Sequence, residues 1–521
     1  MNAASNTLQS TPIKPRLLEA FNPATGAKIG EVCATNVDDI PAIMAGARAA
    51  QPAWEALGVK GRLKVMRKFK EVFYFKRDRI NGVVMEEQGK LPFEALSQEF
   101  WPSIEMISYY LRTAEETLRP RPVFSLLLAF RYHQIEYRAH GVVLIISPWN
   151  FPFYLTVPAI MAALIAGNTV LFKPSEFAVL SGELLANMLW EAGVPRDVFQ
   201  IIHGTGEVAA AAIKAKPNKI AFTGSVSTGR KVAAAAAEHL IPVTLELGGK
   251  DATIVLEDAD LDRAAKGVTF GSMANAGQAC ASVERVYVMR SVMDSFVQKL
   301  AKEITEHVRV RTQDGSLCLA PMTTAMQLKI VESQVQEALA QGAQAVIGGR
   351  VIENGGGRFY EPTILTDLKP AMRVLTDETF GPVVSIVPVD SEEEAVQLAN
   401  GTGYGLLGSV WTRDRARGLR IARQLKAGHA GVNDHIISAN LPALPWGGVG
   451  ETGYGRTRGK EGLLEMTTTQ GISVDLVPIS ISEMLIWYPH TQLKQNLLMR
   501  IIAFMQGPTI KEQIKALTGK F

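Results

Sequence analysis

The chain of 521 residues holds three cysteines, and one of them, Cys280, stands in the stretch NAGQACASVERV, Asn275 to Val286. Its neighbours are small, and Gly277 lies three positions before it. A free cysteine is commonly packed as a small hydrophobe. A thiol among small residues is also open to reactants from more than one side, as nucleophilic catalysis requires. Glu246 closes the apolar run PVTLEL and precedes two glycines in LELGGK. Desolvation raises the pKa of such a carboxylate, which suits a general base that activates water. Asn150 sits in SPWNFP, Ser147 to Pro152, a proline-bracketed loop after an apolar strand. Its amide could donate to a developing oxyanion or cap a turn.

Other segments have the character of ligand cradles. HGTGEVA, with Gly204, and FTGSVSTGR, with Gly224 and Ser225, each link a strand to a helix. Such junctions offer free N–H groups and the positive end of a helix dipole to a phosphate. Neither reads GxGxxG, so each is equally a tight turn. In LFKPSE, Lys173 and Glu176 could hold ribose hydroxyls or form a solvated loop. DETFGPV sets Glu378 and Phe380 before another strand, where they could grip a ligand. Cys33, Cys280 and Cys318 lack CxxC spacing. No metal site or disulfide framework is expected, and the set suits a reducing cytoplasm.

These side chains need elements to carry them. The first third reads as helical, after which short apolar strands alternate with helical stretches. GVVLIISP, TVLFKPS, VFQIIHG, KIAFTGS and PVTLEL form one series. DATIVLEDADLD, ERVYVM, QAVIGG, YEPTILTDL, VVSIVPVD and GSVWTRD form a second. The fold class is therefore α/β, with two Rossmann-like parallel-sheet domains and a cleft between them. The length also implies more than one domain. A net charge of +3 gives no electrostatic case for nucleic acid. The N-terminal stretch lacks the apolar core of a signal peptide. The uncharged stretch Phe151 to Gly167 contains Pro152 and Pro158, and reads as a loop followed by a buried helix. VFSLLLAF, Val123 to Phe130, is too short to span a bilayer as a helix. It reads as a buried or interface segment, with a membrane-surface patch as the alternative.

SPWNFP, FKPSE, FTGS, LELGGK, GQAC, ETFGPV and PWGGVGETGYGR follow one another in an order and spacing that resembles the aldehyde dehydrogenase superfamily. The resemblance runs from about Phe21 to Gln470. It implies that Cys280 is the nucleophile, attacking an aldehyde to form a thiohemiacetal. Asn150 and the Cys280 N–H would hold the oxyanion, and Glu246 would activate the water that hydrolyses the later thioester. It implies a cofactor site of Ile146, Ser147, Trp149, Lys173, Ser175, Glu176, Gly204, Gly224, Ser225, Leu247, Glu378 and Phe380. Glu176 would accept from a ribose 2′-hydroxyl and repel a 2′-phosphate, favouring NAD while leaving NADP open. The domains implied are residues 1–117 with 137–247 for cofactor, 248–461 for catalysis, 118–136 with 462–477 as an oligomerisation arm, and 478–521 as a C-terminal helical extension. The arm implies a homodimer or homotetramer.

Two departures bear on the substrate. The arm segment is unusually apolar, and the extension is longer than in many similar enzymes. In it, Leu493, Leu497, Ile501 and Phe504 share one helix face, widened by Leu498, Ile502 and Met505 and interrupted by Lys494. Gly507 and Pro508 should end that helix before a short basic tail. A docked helix is expected, with a lipid-surface helix as the alternative, so peripheral membrane contact enters beside a cytoplasmic location. Fatty aldehyde enzymes carry similar extensions, which points to apolar aldehydes of medium or long chain. The second reading is a semialdehyde such as succinic semialdehyde, which would need a basic residue in the entrance tunnel. A catalytically silent binding protein is the third, and the joint presence of Cys280, Asn150 and Glu246 speaks against it.

Overall fold

A computed structural model describes residues 16–125, 131–310, 318–354, 356–476 and 484–518. Two units emerge, one from the chain up to Thr117 and Ala139–Thr468, the other from Leu118–Arg138 and the chain from Thr469 onward.

The first unit contains two mainly parallel sheets. In one, strand order runs Gly453–Tyr454, Val243–Glu246, Lys219–Thr223, Val142–Ile146, Thr169–Lys173, Phe199–Ile201. The five strands of the expected series are parallel, and only Gly453–Tyr454 joins antiparallel, beside Glu246. The chain begins in mid-sheet at Val142–Ile146, adds two strands outward, then returns to build the other side. Strand order therefore reverses between Val142–Ile146 and Lys219–Thr223, the place where an open sheet leaves a crevice at its carboxyl ends. Val142–Ile146 and Thr169–Lys173 are buried at every residue. That explains their continuous apolar character, since helices cover both faces of a parallel sheet. Ile40 and Met44 of helix Ile40–Ala56 pack on one face with Leu144, Leu171, Ile220 and Phe222.

The second sheet has seven strands, ordered Gln344–Ile347, Thr363–Thr366, Val383–Val389, Val283–Met289, Asp251–Val255, Leu407–Trp411, His429–Val432. Gln344–Ile347 pairs antiparallel and its neighbours are parallel. All eleven expected strands are present. The short strand His429–Val432 and the hairpin Leu17–Phe21 with Lys28–Cys33 are not apparent in the sequence pattern. Leu17–Phe21 is half exposed and the second hairpin strand has no fully buried residue, so neither forms a long apolar run.

The uncharged stretch divides as expected, into a loop and helix Thr156–Ala166, in which all eleven residues are buried. No described helix is long and apolar enough to cross a membrane. The last carbonyls of that helix are capped from outside. Trp54 Nε1 donates to Leu164 O at 2.9 Å, and the buried Arg62 donates through Nε to Ile165 O at 2.9 Å. Helix Gly459–Leu464 packs on this helix and on Trp101–Thr117. Residues 462–466 thus end the first unit rather than opening the arm, because Leu463 and Met466 are buried there.

In the second unit, Arg121–Val123, Arg131–Ala139 and Thr467–Asp475 form a three-stranded sheet with Arg131–Ala139 in the centre. His133 Nδ1 is hydrogen-bonded to Ser473 Oγ at 2.8 Å, and Arg131 pairs with Asp475 at 3.0 Å. Most of VFSLLLAF, from Ser125 on, falls at or beyond the edge of the described residues. Helix Gln492–Gln506 ends at Gly507, as its Gly-Pro pair dictates. The expected short tail is instead a second helix, Ile510–Thr518, folded back on the first. Arg500 caps it, donating to Ala516 O at 3.1 Å and Leu517 O at 3.0 Å. No residue of helix Gln492–Gln506 is fully buried, and Leu493 is 77% exposed.

Arg62→Met would leave a buried carbonyl of the central helix without its donor. It is expected to cost about 1–3 kcal/mol, read as a lower midpoint in denaturant unfolding. An unchanged midpoint would remove Arg62 as that cap.

Candidate active site

A cleft of ≈ 610 Å³ opens where the crevice was expected, and Cys280 reaches its wall. Ile146, Ser147, Trp149 and Asn150 line it from the loop after the central strand, with Lys173, Ser175 and Glu176 from the next strand end. Gly224, Ser225, Leu247, Glu378 and Phe380 complete the set named from sequence. Gly204 is set back, with Gly206 and Ala209 on the wall instead. A side chain at Gly204 would run into Val208 at 2.2 Å, so that glycine serves turn packing. Ser225 Oγ caps helix Val226–Ala237, accepting from Thr228 N at 3.3 Å. Its hydroxyl is thus engaged within the turn.

Cys280 also lines a second, smaller cavity of ≈ 20 Å³, together with Glu246, Tyr154, Trp446 and Arg458. That is about the space one water needs. The nucleophile candidate therefore separates a large cleft from a pocket that holds the base candidate.

The loop bearing Cys280 is held in an unusual conformation. Asn275, Ala276 and Gly277 have φ of 53°, 53° and 69°, three consecutive left-handed residues. Glycine is required at 277, because a Cβ there would lie 2.0 Å from Gly381 O. Buried hydrogen bonds pin the turn. Asn275 N donates to Glu94 Oε1 at 2.7 Å. Gln278 Nε2 donates to Asn275 O at 2.9 Å and Pro321 O at 3.1 Å, and its Oε1 accepts from Thr323 N at 2.9 Å. Asn150 Nδ2 donates to Gln278 O at 3.0 Å, which ties the oxyanion candidate to the same loop. A primary amide carries two N–H donors, so one remains for a ligand.

The glycine pair of LELGGK brings three chain segments together. A Cβ on Gly248 would meet Glu378 Oε2 at 2.3 Å, and one on Gly249 would meet Cys280 O at 2.1 Å. Gly249 N donates to Glu378 Oε1 at 2.9 Å. Trp149 and Phe380 meet edge to face at 5.6 Å between ring centroids. Behind them, buried Lys250 is paired with Glu284, whose carboxylate also accepts from Phe380 N at 2.8 Å. Lys173 Nζ lies 3.3 Å from Glu176 Oε2.

Burial sets the electrostatics. It pushes the Cys280 thiol up, and the Asp251, Glu378 and Glu246 carboxylates act in the same direction. Burial raises Glu246 to about 8 against the opposing Arg458 and Arg456, and its Oε1 is buried without a hydrogen-bond partner. Glu378 is raised to about 8, by burial first and then by Glu284.

The whole constellation matches one family. A model of the aldehyde dehydrogenase family covers residues 11–472. The chain belongs to the aldehyde dehydrogenase family. Among curated relatives, 4,4′-diapolycopene aldehyde oxidase of Methylomonas sp is 36% identical, over 86% of this chain and 84% of that one. A putative succinate-semialdehyde dehydrogenase [NADP(+)] of Mycolicibacterium smegmatis is 37% identical, over 91% of each. Among solved structures, an NAD-dependent aldehyde dehydrogenase from Sinorhizobium meliloti superposes with TM-score 0.85 at 31% identity, over 91% of this chain and 93% of that one.

Several residues of this aldehyde dehydrogenase site were not singled out from sequence: Tyr154, Gln278, Trp446 and Arg458. Gln278 and Arg458 lie within or beside motifs already quoted, but only the folded loops show where they point. Arg285, the nearest basic residue after Cys280, faces away. It donates to Lys250 O at 2.6 Å and Ala399 O at 3.0 Å beside the second sheet.

A thiol held up by burial has a signature. Without cofactor, iodoacetamide alkylation of the Cys280 peptide, followed by mass spectrometry, is expected to keep accelerating beyond about pH 9.5, roughly one unit above the free-thiol pKa, where a free thiol levels off. A plateau at or below that pH would show that the site already favours thiolate.

Proposed function

We propose that the protein oxidises apolar aldehydes of medium or long chain to carboxylic acids, with NAD as acceptor and NADP as the alternative. The observation that carries this reading is Cys280 set between the cleft and the pocket of Glu246. Cys280 gives its thiol proton to solvent, Sγ bonds to the aldehyde carbon as the C=O π pair moves onto oxygen, and the spare N–H of Asn150 receives that oxygen as it gains negative charge. Once two electrons and a proton have left that carbon as hydride, a thioester remains on Cys280. Glu246 takes a proton from water in the small cavity, the oxygen adds to the thioester carbon, the C–S bond breaks, and Glu246 returns the proton to the departing Cys280 sulfur as the carboxylic acid is released.

The chain's own residues fit a nicotinamide dinucleotide. The cleft volume falls in the range of cofactor pockets. It is entered by a helix N-terminus at Val226 and by the Lys173–Glu176 pair, with Glu378 and Phe380 at the Cys280 end. When bound, the nicotinamide supplies the two-electron acceptor. Glu176 supports NAD through repulsion of a 2′-phosphate.

The apolar reading rests on the walls near Cys280, where Tyr154, Leu155, Pro158 and Trp446 predominate. The name of the Methylomonas relative is in keeping with it. A succinic semialdehyde reading has its own support, the Arg458 cation in the same pocket and the name of the Mycolicibacterium relative. NADH formation across straight-chain aldehydes decides between them. Under the apolar reading kcat/KM climbs with each methylene, worth about 0.8 kcal/mol or roughly fourfold, and Cys280→Ala shows no turnover. A preference for succinic semialdehyde over hexanal would overturn it.

Assembly as a dimer or tetramer belongs to the same proposal. The outer strand Thr467–Asp475 supports it, since an uncovered edge is a template for pairing. Peripheral membrane contact is supported by the helix pair at the C-terminus. Trp487, Tyr488, Leu493, Ile510 and Leu517 are all more than half exposed there. Lys494, Arg500, Lys511 and Lys515 outnumber the single acidic residue Glu512 among residues 484–518, the composition of an interfacial helix. Trp487→Glu with Leu493→Glu should abolish co-sedimentation with phosphatidylserine vesicles. Equal sedimentation of both proteins would remove the membrane from the proposal.

A further inference from the structure

Arg458 stands out for what it costs the fold. Its backbone has φ 60° and ψ 179°, a region that side-chain-bearing residues rarely occupy. Its side chain is buried, with 3% of the residue exposed. The guanidinium lies over the Tyr154 ring at 4.4 Å and the Trp446 ring at 4.8 Å, and Nη1 donates to Ala439 O at 3.0 Å. Among the described residues it makes no ion pair with a carboxylate. A buried, unpaired cation on a strained backbone is expensive three times over. The loop is nevertheless locked in place, because Trp446 and Thr457 exchange two 2.7 Å backbone hydrogen bonds and Gly459 N donates to Pro442 O at 2.9 Å.

The space that this cation shares explains the expense. It lines the small cavity with Glu246 and Cys280. We propose that Arg458 is a positioning residue for the hydrolytic half-reaction: its charge favours the ionised form of the Glu246 carboxylate beside the cavity that the two share. The proposal rests on Glu246 being the general base. Arg458 is the larger of the two opposing influences on Glu246, ahead of Arg456, whose guanidinium is turned to Gly448 O and Gly455 O. The other titratable groups around the pair are Cys280, Tyr154, Tyr110 and His429. Burial keeps Tyr110 and Tyr154 neutral and lowers His429. None of these supplies a cation in place of Arg458 above neutral pH. The aromatic rings of Tyr154 and Trp446 stabilise the guanidinium without neutralising it, so its field remains available to Glu246.

The test is stopped-flow NADH formation by the full-length protein with hexanal, from pH 6 to pH 10, followed through the first turnover into the steady phase. In Arg458→Met the first turnover keeps its amplitude. The steady rate near pH 7 falls on the order of tenfold and its acid limb moves up by about one pH unit, as loss of a nearby opposite charge requires. Arg458→Lys, which keeps the charge, leaves the limb close to its original place. Arg458→Gln, which keeps donors without charge, moves it as Met does and serves if the Met variant does not fold. An acid limb unmoved in the uncharged variants overturns the proposal. So does a loss confined to KM for succinic semialdehyde, which would make Arg458 an anchor for a substrate carboxylate. Glu246→Gln separates this outcome from failure of the underlying assignment: if that variant keeps the wild-type steady rate, Glu246 is not the base, whatever Arg458 does.

Discussion

The left-handed turn Asn275–Ala276–Gly277 is the constraint on which the site depends, because it projects Cys280 toward two cavities at once. Such a turn is unfavourable for two of its three residues. It persists because bonds from distant segments over-determine it: Glu94 from the first helical region, Pro321 and Thr323 through Gln278, and the close backbone of Gly381. Asn150, from the other sheet, closes the arrangement by donating to Gln278 O. Cys280 is therefore positioned by buried hydrogen bonds between the two sheets' loops, and its small neighbours are a consequence of how closely those loops approach.

Charge is managed by the same burial. The ground around Cys280 is rich in carboxylates, with Asp251, Glu246 and Glu378 each raised by desolvation. Lys250 and Glu284 pair with one another, buried at the second sheet, and pin Phe380 in passing. The net effect is a thiol pushed toward its protonated form. Arg458 is the cation that lines the small cavity with Glu246 and Cys280.

Topology distributes these roles. The reversal of strand order beside Val142–Ile146 opens the crevice at one end of the first sheet, and the loops SPWNFP and FTGS emerge at that end. The Gly248–Gly249 pair then carries the chain directly from Glu246 into the second sheet, so that Glu246, Cys280 and Glu378 meet at one crossing of the chain.

Much of this was legible in the sequence. Continuous apolar runs such as VVLII announce strands covered on both faces, because that pattern has few other solutions. Glu246 and Cys280 are legible because a carboxylate ending an apolar strand and a thiol among small residues are chemically conspicuous. Short or half-exposed strands, such as Lys28–Cys33 and His429–Val432, carried too little periodicity to be seen. Gly204 shows the limit from the other side: its type suggested a phosphate turn, and only the structure adds that Val208 fills the space a Cβ there would need. By itself, the sequence determined the class of fold, the order of the chemistry-bearing loops and the residue types available to react. Only the tertiary structure decided that Arg285 turns to Lys250 and Ala399 beside the second sheet while Arg458 enters the pocket of Glu246. Both are arginines near quoted motifs, and what separates them is long-range burial and hydrogen bonding, which local sequence does not encode.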